Sequence, residues 1–168
     1  MNDERSVCGT VLVIAACLVL GAACRRTAHE NGKLLSEPEA RQVDIAAIRR
    51  MLGAIVSADN ARDLNAVMAL YANDAVLLPP DEKAVAGKES IRPRYQSLFD
   101  EFKPEISISH DEIITDGDWA FARGMTTGKM TPRNGGTAGT VNDKYLMILR
   151  RQPDGTWRIA RLMWSKAG

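Results

Sequence analysis

The sequence predicts an α+β protein with one main domain, in which helices come first and an antiparallel sheet follows. Three observations support this prediction. The chain has 168 residues, which is the size of one ordinary domain. Apolar residues recur at helical spacing between Val43 and Phe102. From Pro104 onward they alternate with polar residues, which is typical of strands that bury one face. The predicted order, ααβαββββ, favours helices packed on a single sheet.

The composition excludes several classes of protein. The chain is 45% hydrophobic, with 26% charged residues and a net charge of +1. These values exclude a disordered chain and a strongly basic nucleic-acid binder, so we expect no nucleic-acid partner. The sequence contains no Gly-rich phosphate loop, and we therefore expect no cofactor.

Residues 1–24 form a separate segment that we interpret as an export leader. Val7–Cys24 is a run of 18 uncharged, mostly apolar residues that contains all three cysteines of the chain. The small residues before Cys24 resemble the cleavage site of a bacterial lipoprotein leader. That resemblance implies a lipid on Cys24, although Gly21 stands where the motif has a larger aliphatic residue. Cys17 is the alternative lipidation site.

Two other interpretations of this segment remain open. It could be a plain secretory signal, or an uncleaved single-pass anchor, because 18 residues at 1.5 Å each can just span a hydrocarbon core of ~30 Å. The lipoprotein interpretation places the domain at the bacterial cell envelope, on its periplasmic or extracellular side, anchored to the membrane by an N-terminal lipid. A secretory signal would release the domain instead.

The remaining chain divides into a polar tether over residues 25–41 and a domain over residues 42–166. The tether contains His29 and shows no apolar periodicity. After Cys24 there are no cysteines, which excludes a disulfide, a thiol nucleophile or a thiolate metal site in the domain.

The first half of the domain is predicted to be mainly helical. The pattern predicts an amphipathic helix over Val43–Ala58, broken by Asp59-Asn60, and a second helix that Asp63 caps. This second helix carries Leu64, Val67, Met68 and Tyr71 on its apolar face. A short apolar strand over Ala75–Leu78 ends at Pro79-Pro80. A third helix follows Gly87 and presents Ile91, Tyr95, Leu98 and Phe102 on one face.

The second half is predicted to form four strands. The first begins after Pro104 and ends at the Asp116-Gly117 hairpin signal. The others are predicted over Trp119–Met130, Thr140–Arg151 and Thr156–Ser165, separated by a Gly-rich loop and by a turn at Pro153–Gly155.

Several segments together resemble the SnoaL-like branch of the nuclear transport factor 2-like superfamily, over about residues 42–165. They are Asp63-Leu64, Tyr71-Ala72-Asn73-Asp74-Ala75-Val76, Gly87-Lys88-Glu89-Ser90-Ile91-Arg92 and Arg151-Gln152-Pro153-Asp154-Gly155-Thr156-Trp157-Arg158-Ile159-Ala160. The resemblance implies a cone-shaped curved antiparallel sheet wrapped around three N-terminal helices, with a pocket inside. It also implies a homodimer formed through the sheet. It does not imply one function, because this fold serves unrelated activities.

The ketosteroid isomerases of this superfamily need a carboxylate base, a tyrosine and a protonated aspartic acid. By the resemblance, these positions fall on Pro79, Ile55 and Met147. None of the three side chains can ionise or donate a hydrogen bond. Steroid isomerisation is therefore not expected.

Few other residues are candidates for chemistry. His110 and Asp111 could form a base at the rim of the pocket, with Tyr95 as a positioning group, or His110 could be an ordinary residue at the sheet edge. Neighbouring strand residues point to opposite faces, so His110, Asp111 and Glu112 are not expected to converge. The chain has 2 histidines, which excludes a multi-histidine zinc site, and we expect no metal.

The inner pocket is predicted to be bounded by Tyr71, Tyr95, Tyr145, Met147 and Trp164. The same spacing would also suit ordinary core packing. Arg123 shares a strand face with Trp119, Phe121 and Met125, and three roles remain open for it: pairing with an acid, stacking on the tryptophan or binding an anionic ligand.

Two classes of function follow from these observations. The first is a pocket that binds a small apolar molecule, without assigned chemistry. The second is a cyclase- or hydrolase-type enzyme that uses His110, Asp111 or Tyr95. A cavity of ~300 Å³ or more with convergent polar groups would favour the second.

Overall fold

The computed structural model describes residues 29–30 and 33–167. The predicted leader, with Cys17 and Cys24, lies outside the described residues. The helices are α1 (Glu37–Ala61), α2 (Leu64–Ala69) and α3 (Lys88–Glu101). The strands are β1 (His29–Glu30), β2 (Lys33–Leu34), β3 (Tyr71–Leu78), β4 (Val85–Ala86), β5 (Phe102–Asp116), β6 (Trp119–Pro132), β7 (Gly139–Arg151) and β8 (Trp157–Lys166).

Helix α1 is longer than predicted at both ends. It begins at Glu37, because Ser36 and Glu39 form a capping box in which the Glu39 carboxylate accepts a hydrogen bond from the Ser36 backbone. It continues through Asp59-Asn60 and ends where Arg62 adopts a left-handed conformation with φ of 57°. The last five residues of the predicted polar tether are therefore helical, and β1 pairs with β2 earlier in the same stretch.

The segment after α2 also differs from the prediction. Asp63 does cap α2, and its side chain accepts a hydrogen bond from the backbone N–H of Ala66. Tyr71, however, is the first residue of β3 and not the last of a helix. The reason is tertiary pairing: Tyr71 lies opposite Ile159 in β8, and the Ile159 N–H donates to the Leu70 carbonyl.

The main sheet has six strands in the order β4-β3-β8-β7-β6-β5 and is curved and unclosed. Hairpin connections make β5 to β8 antiparallel, as predicted. The pair between β3 and β8 is parallel, which departs from the purely antiparallel sheet predicted. Strand β3 pairs with β8, the last strand of the β5–β8 meander, and therefore lies at the far end of the sheet from β5.

The core lies between the helices and one face of the sheet. Ile48, Leu52 and Ile55 of α1 are buried against alternate residues of the long strands, such as Met147 and Leu149. The opposite face of the sheet is left exposed. Among the described residues, no helix is long and apolar enough to cross a membrane.

Candidate functional site

A cavity of about 750 Å³ lies between α1, α3 and the inner face of the sheet. Most of its lining side chains are apolar, and a few polar and charged groups are placed among them. The lining residues are Ile55, Val56, Asp59, Leu77, Pro93, Arg94, Tyr95, Ser97, Leu98, Glu101, Phe102, Ile106, Ile108, Thr126, Met130, Val141, Asp143, Tyr145, Met147, Leu162 and Trp164. A cavity of this size can hold a molecule of drug-like size.

Asp59 is placed in the cavity by the apolar face of α1. It follows Ile55 by four residues, so the helix turns its side chain inward together with those of Ile48, Leu52 and Ile55. Its Oδ1 atom is shielded from solvent and has no hydrogen-bond partner among the described residues. Burial raises the pKa of the Asp59 carboxyl to about 7, because the charged form loses its hydration.

Two tyrosines form a hydrogen-bonded pair near this carboxyl. The hydroxyl oxygens of Tyr71 and Tyr95 are 2.8 Å apart, and the Tyr95 ring also packs on Phe99 at 5.7 Å between centroids. Burial raises the pKa of both hydroxyls, and the nearby Asp59 charge raises it further, so both stay protonated. Only one hydroxyl can donate to the other, which leaves the second hydrogen free for another acceptor.

Tyr145 lines the cavity from the sheet and is held by two groups of β5. Its hydroxyl is 2.8 Å from Nδ1 of His110, and it donates to the Ser109 carbonyl at 3.2 Å. Burial raises the pKa of Tyr145 to about 12, while burial and the Arg49 charge lower the pKa of His110. His110 does not line the cavity. It therefore positions the Tyr145 hydroxyl through the hydrogen bond between them, from outside the cavity.

Asp111 and Glu112 lie together on the outer face, which corrects the expectation that neighbouring residues here point to opposite faces. A β-bulge between His110 and Glu112 leaves Asp111 without a partner in β6. Both carboxylates consequently reach Arg123, at 3.3 Å and 2.9 Å. Arg123 therefore pairs with acids, one of the three roles considered, and Asp111 lies away from the cavity.

Gly124 allows the close approach that this bulge requires. It pairs with His110 across β5 and β6, and a Cβ atom at this position would overlap the Ser109 carbonyl oxygen. The same backbone carbonyl accepts the hydrogen bond of Tyr145. The bulge and this glycine together fix where the Tyr145 hydroxyl lies.

The predicted pocket residues are largely brought together. Tyr95, Tyr145, Met147 and Trp164 line the cavity, and Tyr71 lies behind Tyr95. Of the three isomerase positions, Ile55 and Met147 also line it with apolar side chains, whereas Pro79 lines a separate groove of about 690 Å³.

None of the three acids of the cavity, Asp59, Glu101 and Asp143, is assigned to the pocket from the sequence. The sequence predicts a helix break at Asp59-Asn60, whereas α1 continues through both residues. The pattern that points to Asp59 is a single acid on the apolar face of α1, four residues after Ile55. Asp143 alternates with Tyr145 and Met147 along β7, so its side chain points to the same inner face of the sheet as theirs.

The cavity contains more acidic than basic side chains. Its ionisable carboxylates are Asp59, Glu101 and Asp143, and its one cation among the described residues is Arg94. Arg94 is already bound by both carboxylate oxygens of Glu82, at 2.6 Å and 3.0 Å. Over the described residues, no group of three or more histidines, cysteines or acids could hold a metal ion.

Comparisons with known proteins give a consistent result. A family model described as a SnoaL-like domain matches residues 48–161. The crystal structure of a ketosteroid isomerase-like protein from Erwinia carotovora atroseptica is 32% identical, with a TM-score of 0.69, over 74% of this chain and 97% of that one. A conserved protein from Planctomyces limnophilus is 26% identical, with a TM-score of 0.71, over 76% of this chain and 100% of that one.

A more distant structure shows the same fold. An NTF2-like protein of unknown function from Pseudomonas putida is 20% identical, with a TM-score of 0.59, over 74% of this chain and 87% of that one. No curated protein sequence matches the chain significantly.

Proposed function

The chain belongs to the SnoaL-like domain family, and from that premise we propose that its cavity binds a small, largely apolar molecule. The observation that carries the proposal is the cavity of about 750 Å³, lined mostly by apolar side chains. Transfer of apolar ligand surface into it would contribute roughly 25 cal/mol per Å² before the costs of binding are subtracted. The hydroxyls of Tyr95 and Tyr145 and the Asp59 carboxyl would orient one polar end of the ligand.

A ligand screen by thermal shift on the purified protein tests this proposal. Met147 and Ile148 are neighbours in β7 whose side chains point to opposite faces, one to the cavity and one outward. We expect a ligand to raise the Tm of the wild type and of Ile148→Trp, but not that of Met147→Trp, whose larger side chain fills the cavity. If Met147→Trp does not fold, Leu162→Phe can replace it, because it adds less volume to the cavity. Hits that stabilise the filled and unfilled cavities equally would refute the proposal.

A second candidate function is acid–base catalysis in the same cavity, whose volume of about 750 Å³ exceeds the ~300 Å³ expected for the enzyme alternative. The observation that favours it is a buried carboxyl with a pKa of about 7 that shares the cavity with a neutral tyrosine hydroxyl. The cyclase- or hydrolase-type alternative built on His110, Asp111 and Tyr95 changes accordingly. Asp111 lies outside the cavity and His110 lies behind Tyr145, so Asp59 takes the place of the base.

The generic substrate 5-nitro-1,2-benzisoxazole can test this candidate. Its ring opens when a base removes the C3 proton and the N–O bond breaks, which gives a coloured cyanophenolate. Positioned general bases typically accelerate proton transfer by about 10²–10⁴-fold. We expect Asp59→Asn to remove any acceleration, and an equal rate in both proteins would exclude Asp59 as a base.

We also propose that the domain is tethered to the bacterial envelope by a lipid on Cys24 and that it forms a homodimer through the outer face of its sheet. The apolar run of residues 7–24 supports the first proposal. Large exposed apolar side chains on the outer face support the second.

A further inference from the structure

We propose that the cavity selects lipophilic cations, of which alkyl or arylalkyl ammonium ions are the simplest class, and that Asp59 is the counter-ion. This inference rests on the proposed binding function and names the class of molecule bound. It goes beyond that function because an apolar cavity alone does not discriminate by charge.

The charge of the cavity lining is the first observation. Asp59, Glu101 and Asp143 line the cavity, and within the described part of the chain none of them has an ion-pair partner. The lining cation among these residues, Arg94, is neutralised by Glu82. An anionic ligand would therefore meet like charges and no available cation, whereas a cation would meet three carboxylates.

The burial of Asp59 without a hydrogen-bond partner is the second observation. Its Oδ1 atom is shielded from solvent and accepts no hydrogen bond from the described residues. A buried polar group without a partner is costly, and a buried unpaired charge is more so. An ammonium N–H would supply the missing donor through a charge-assisted hydrogen bond. A neutral ligand would leave an ionised Asp59 without its counter-charge.

The aromatic side chains of the lining are the third observation. Tyr95, Phe102, Tyr145 and Trp164 border the cavity from α3 and from the sheet. Aromatic faces attract ammonium groups and still pack against the apolar part of the same molecule. Carboxylates together with aromatic faces in an apolar cavity favour an organic cation over a hydrated metal ion, which needs several oxygen ligands.

Three probes that share one shape and differ in charge test the inference. They are 1-naphthylmethylammonium, 1-naphthylmethanol and 1-naphthoate. Their affinities for the purified full-length protein are measured by calorimetry in slightly alkaline buffer, where Asp59 is mostly ionised. We expect the ammonium probe to bind at least tenfold more tightly than the alcohol, and the carboxylate probe to bind most weakly.

Two variants identify the counter-ion. Asp59→Asn keeps the shape and removes the charge, so it should abolish the preference for the ammonium probe and change the affinity for the alcohol little. Glu89→Gln removes one exposed negative charge outside the cavity and should keep the preference. The intact fold of each variant is checked by its Tm.

The outcomes separate this inference from the proposed function. Equal binding of the alcohol and the ammonium probe would overturn cation selection and leave apolar binding intact. A tenfold preference that survives in Asp59→Asn would also overturn the inference, because Asp59 would not be the counter-ion. Binding of none of the three probes would count against both proposals.

Discussion

The carboxyl of Asp59 is buried among apolar side chains, and this burial costs more for its ionised form than for its protonated form. Its pKa therefore rises from 3.8 to about 7 on folding. Between these two values the folded state holds a proton that the unfolded state has lost. Stability must therefore fall as the pH rises through this interval and level off above it. Tyr71 and Tyr95 face the carboxyl and stay neutral throughout, and Arg94, Glu101 and Asp143 border the same cavity.

We predict that Asp59→Asn removes this loss of stability. Above neutral pH the variant should be more stable than the wild type. The difference in the free energy of unfolding should reach about 4 kcal/mol if the whole pKa shift of Asp59 contributes to it. The difference should shrink toward zero as the pH approaches the unfolded pKa. Urea unfolding at several pH values measures it, with Glu89→Gln as the control. Parallel stability profiles for the wild type and Asp59→Asn would show that the carboxyl is not desolvated.

The Tyr71–Tyr95 hydrogen bond gives a second prediction about single residues. Tyr95→Phe leaves the fully buried Tyr71 hydroxyl without its partner, which should cost about 1–3 kcal/mol. Adding Tyr71→Phe removes the stranded hydroxyl as well, so the double variant should lose less stability than the two single losses combined. Urea unfolding of all four proteins measures this coupling. Strict additivity would show that the hydroxyls do not interact.

The candidate site shows what a sequence can and cannot predict about single residues. Strand alternation predicts that the side chains of Tyr145, Met147 and Trp164 point to the inner face of the sheet, and the structure places all three at the cavity. The position of Asp111 does not follow from it, because a bulge shifts the alternation by one residue. A bulge depends on the pairing with β6, and no local pattern in β5 specifies that pairing.

Helix α1 and the edge strand β5 are connected by one side chain at the level of whole elements. The Asn60 amide nitrogen donates to the Ile106 carbonyl at 2.8 Å, and the Ile106 N–H donates to the Asn60 amide oxygen at 2.8 Å. Asn60 thus completes the hydrogen bonding of a strand that has no neighbour on this side of the main sheet.

We predict that Asn60→Ala loosens β5 from α1. The loss of two hydrogen bonds at an exposed position should cost about 1–2 kcal/mol. The Ile106 amide should also exchange with solvent faster, which hydrogen exchange detects. Asn134→Ala, in the exposed loop between β6 and β7, serves as the control and should change neither quantity. Unchanged exchange at Ile106 would mean that other contacts hold the strand.

The elements were predictable to different degrees for physical reasons. The boundaries of β6, β7 and β8 lie within two residues of the prediction, because alternation and Gly- or Pro-containing turns mark them locally. No apolar stripe marks the start of α1, because residues 37–42 are charged or polar apart from Pro38 and Ala40. The capping box at Ser36 and Glu39 was the local indication of that start. Pairing of β3 with β8 joins distant segments and has no local pattern.

At the scale of the whole molecule, the fold class followed from the order of elements, and the family model and structural neighbours support it. The functional chemistry did not follow from the same information. The isomerase positions hold apolar side chains, and the acids of the cavity come from α1, the end of α3 and β7 instead. A shared fold therefore fixes the position of the cavity but not the groups inside it.

The proposal that residues 1–24 are a lipoprotein leader gives a prediction about the intact chain in a bacterial cell. We expect the protein to incorporate a clickable palmitate analogue and to fractionate with membranes, because an acyl chain on Cys24 would bury many methylene groups in the bilayer. Cys24→Ala should lose the label, and Cys8→Ala should retain it. Label that disappears with Cys17→Ala but persists in Cys24→Ala would move the lipid site. Absence of label from the wild type would favour a secretory signal or an anchor.

The outer face of the sheet carries large apolar side chains that the rest of the described chain leaves exposed. Ile114, Trp119 and Met163 are each 45–47% exposed there, although large apolar side chains are usually buried in monomers. We predict that the protein is a homodimer through this face, so that Trp119→Lys should produce monomers. Val43→Lys replaces an exposed apolar residue on α1 and should leave the dimer intact. Light scattering at tens of micromolar protein measures the mass of each form. A wild-type monomer at that concentration would exclude the dimer, and a dimer that persists in Trp119→Lys would place its interface elsewhere.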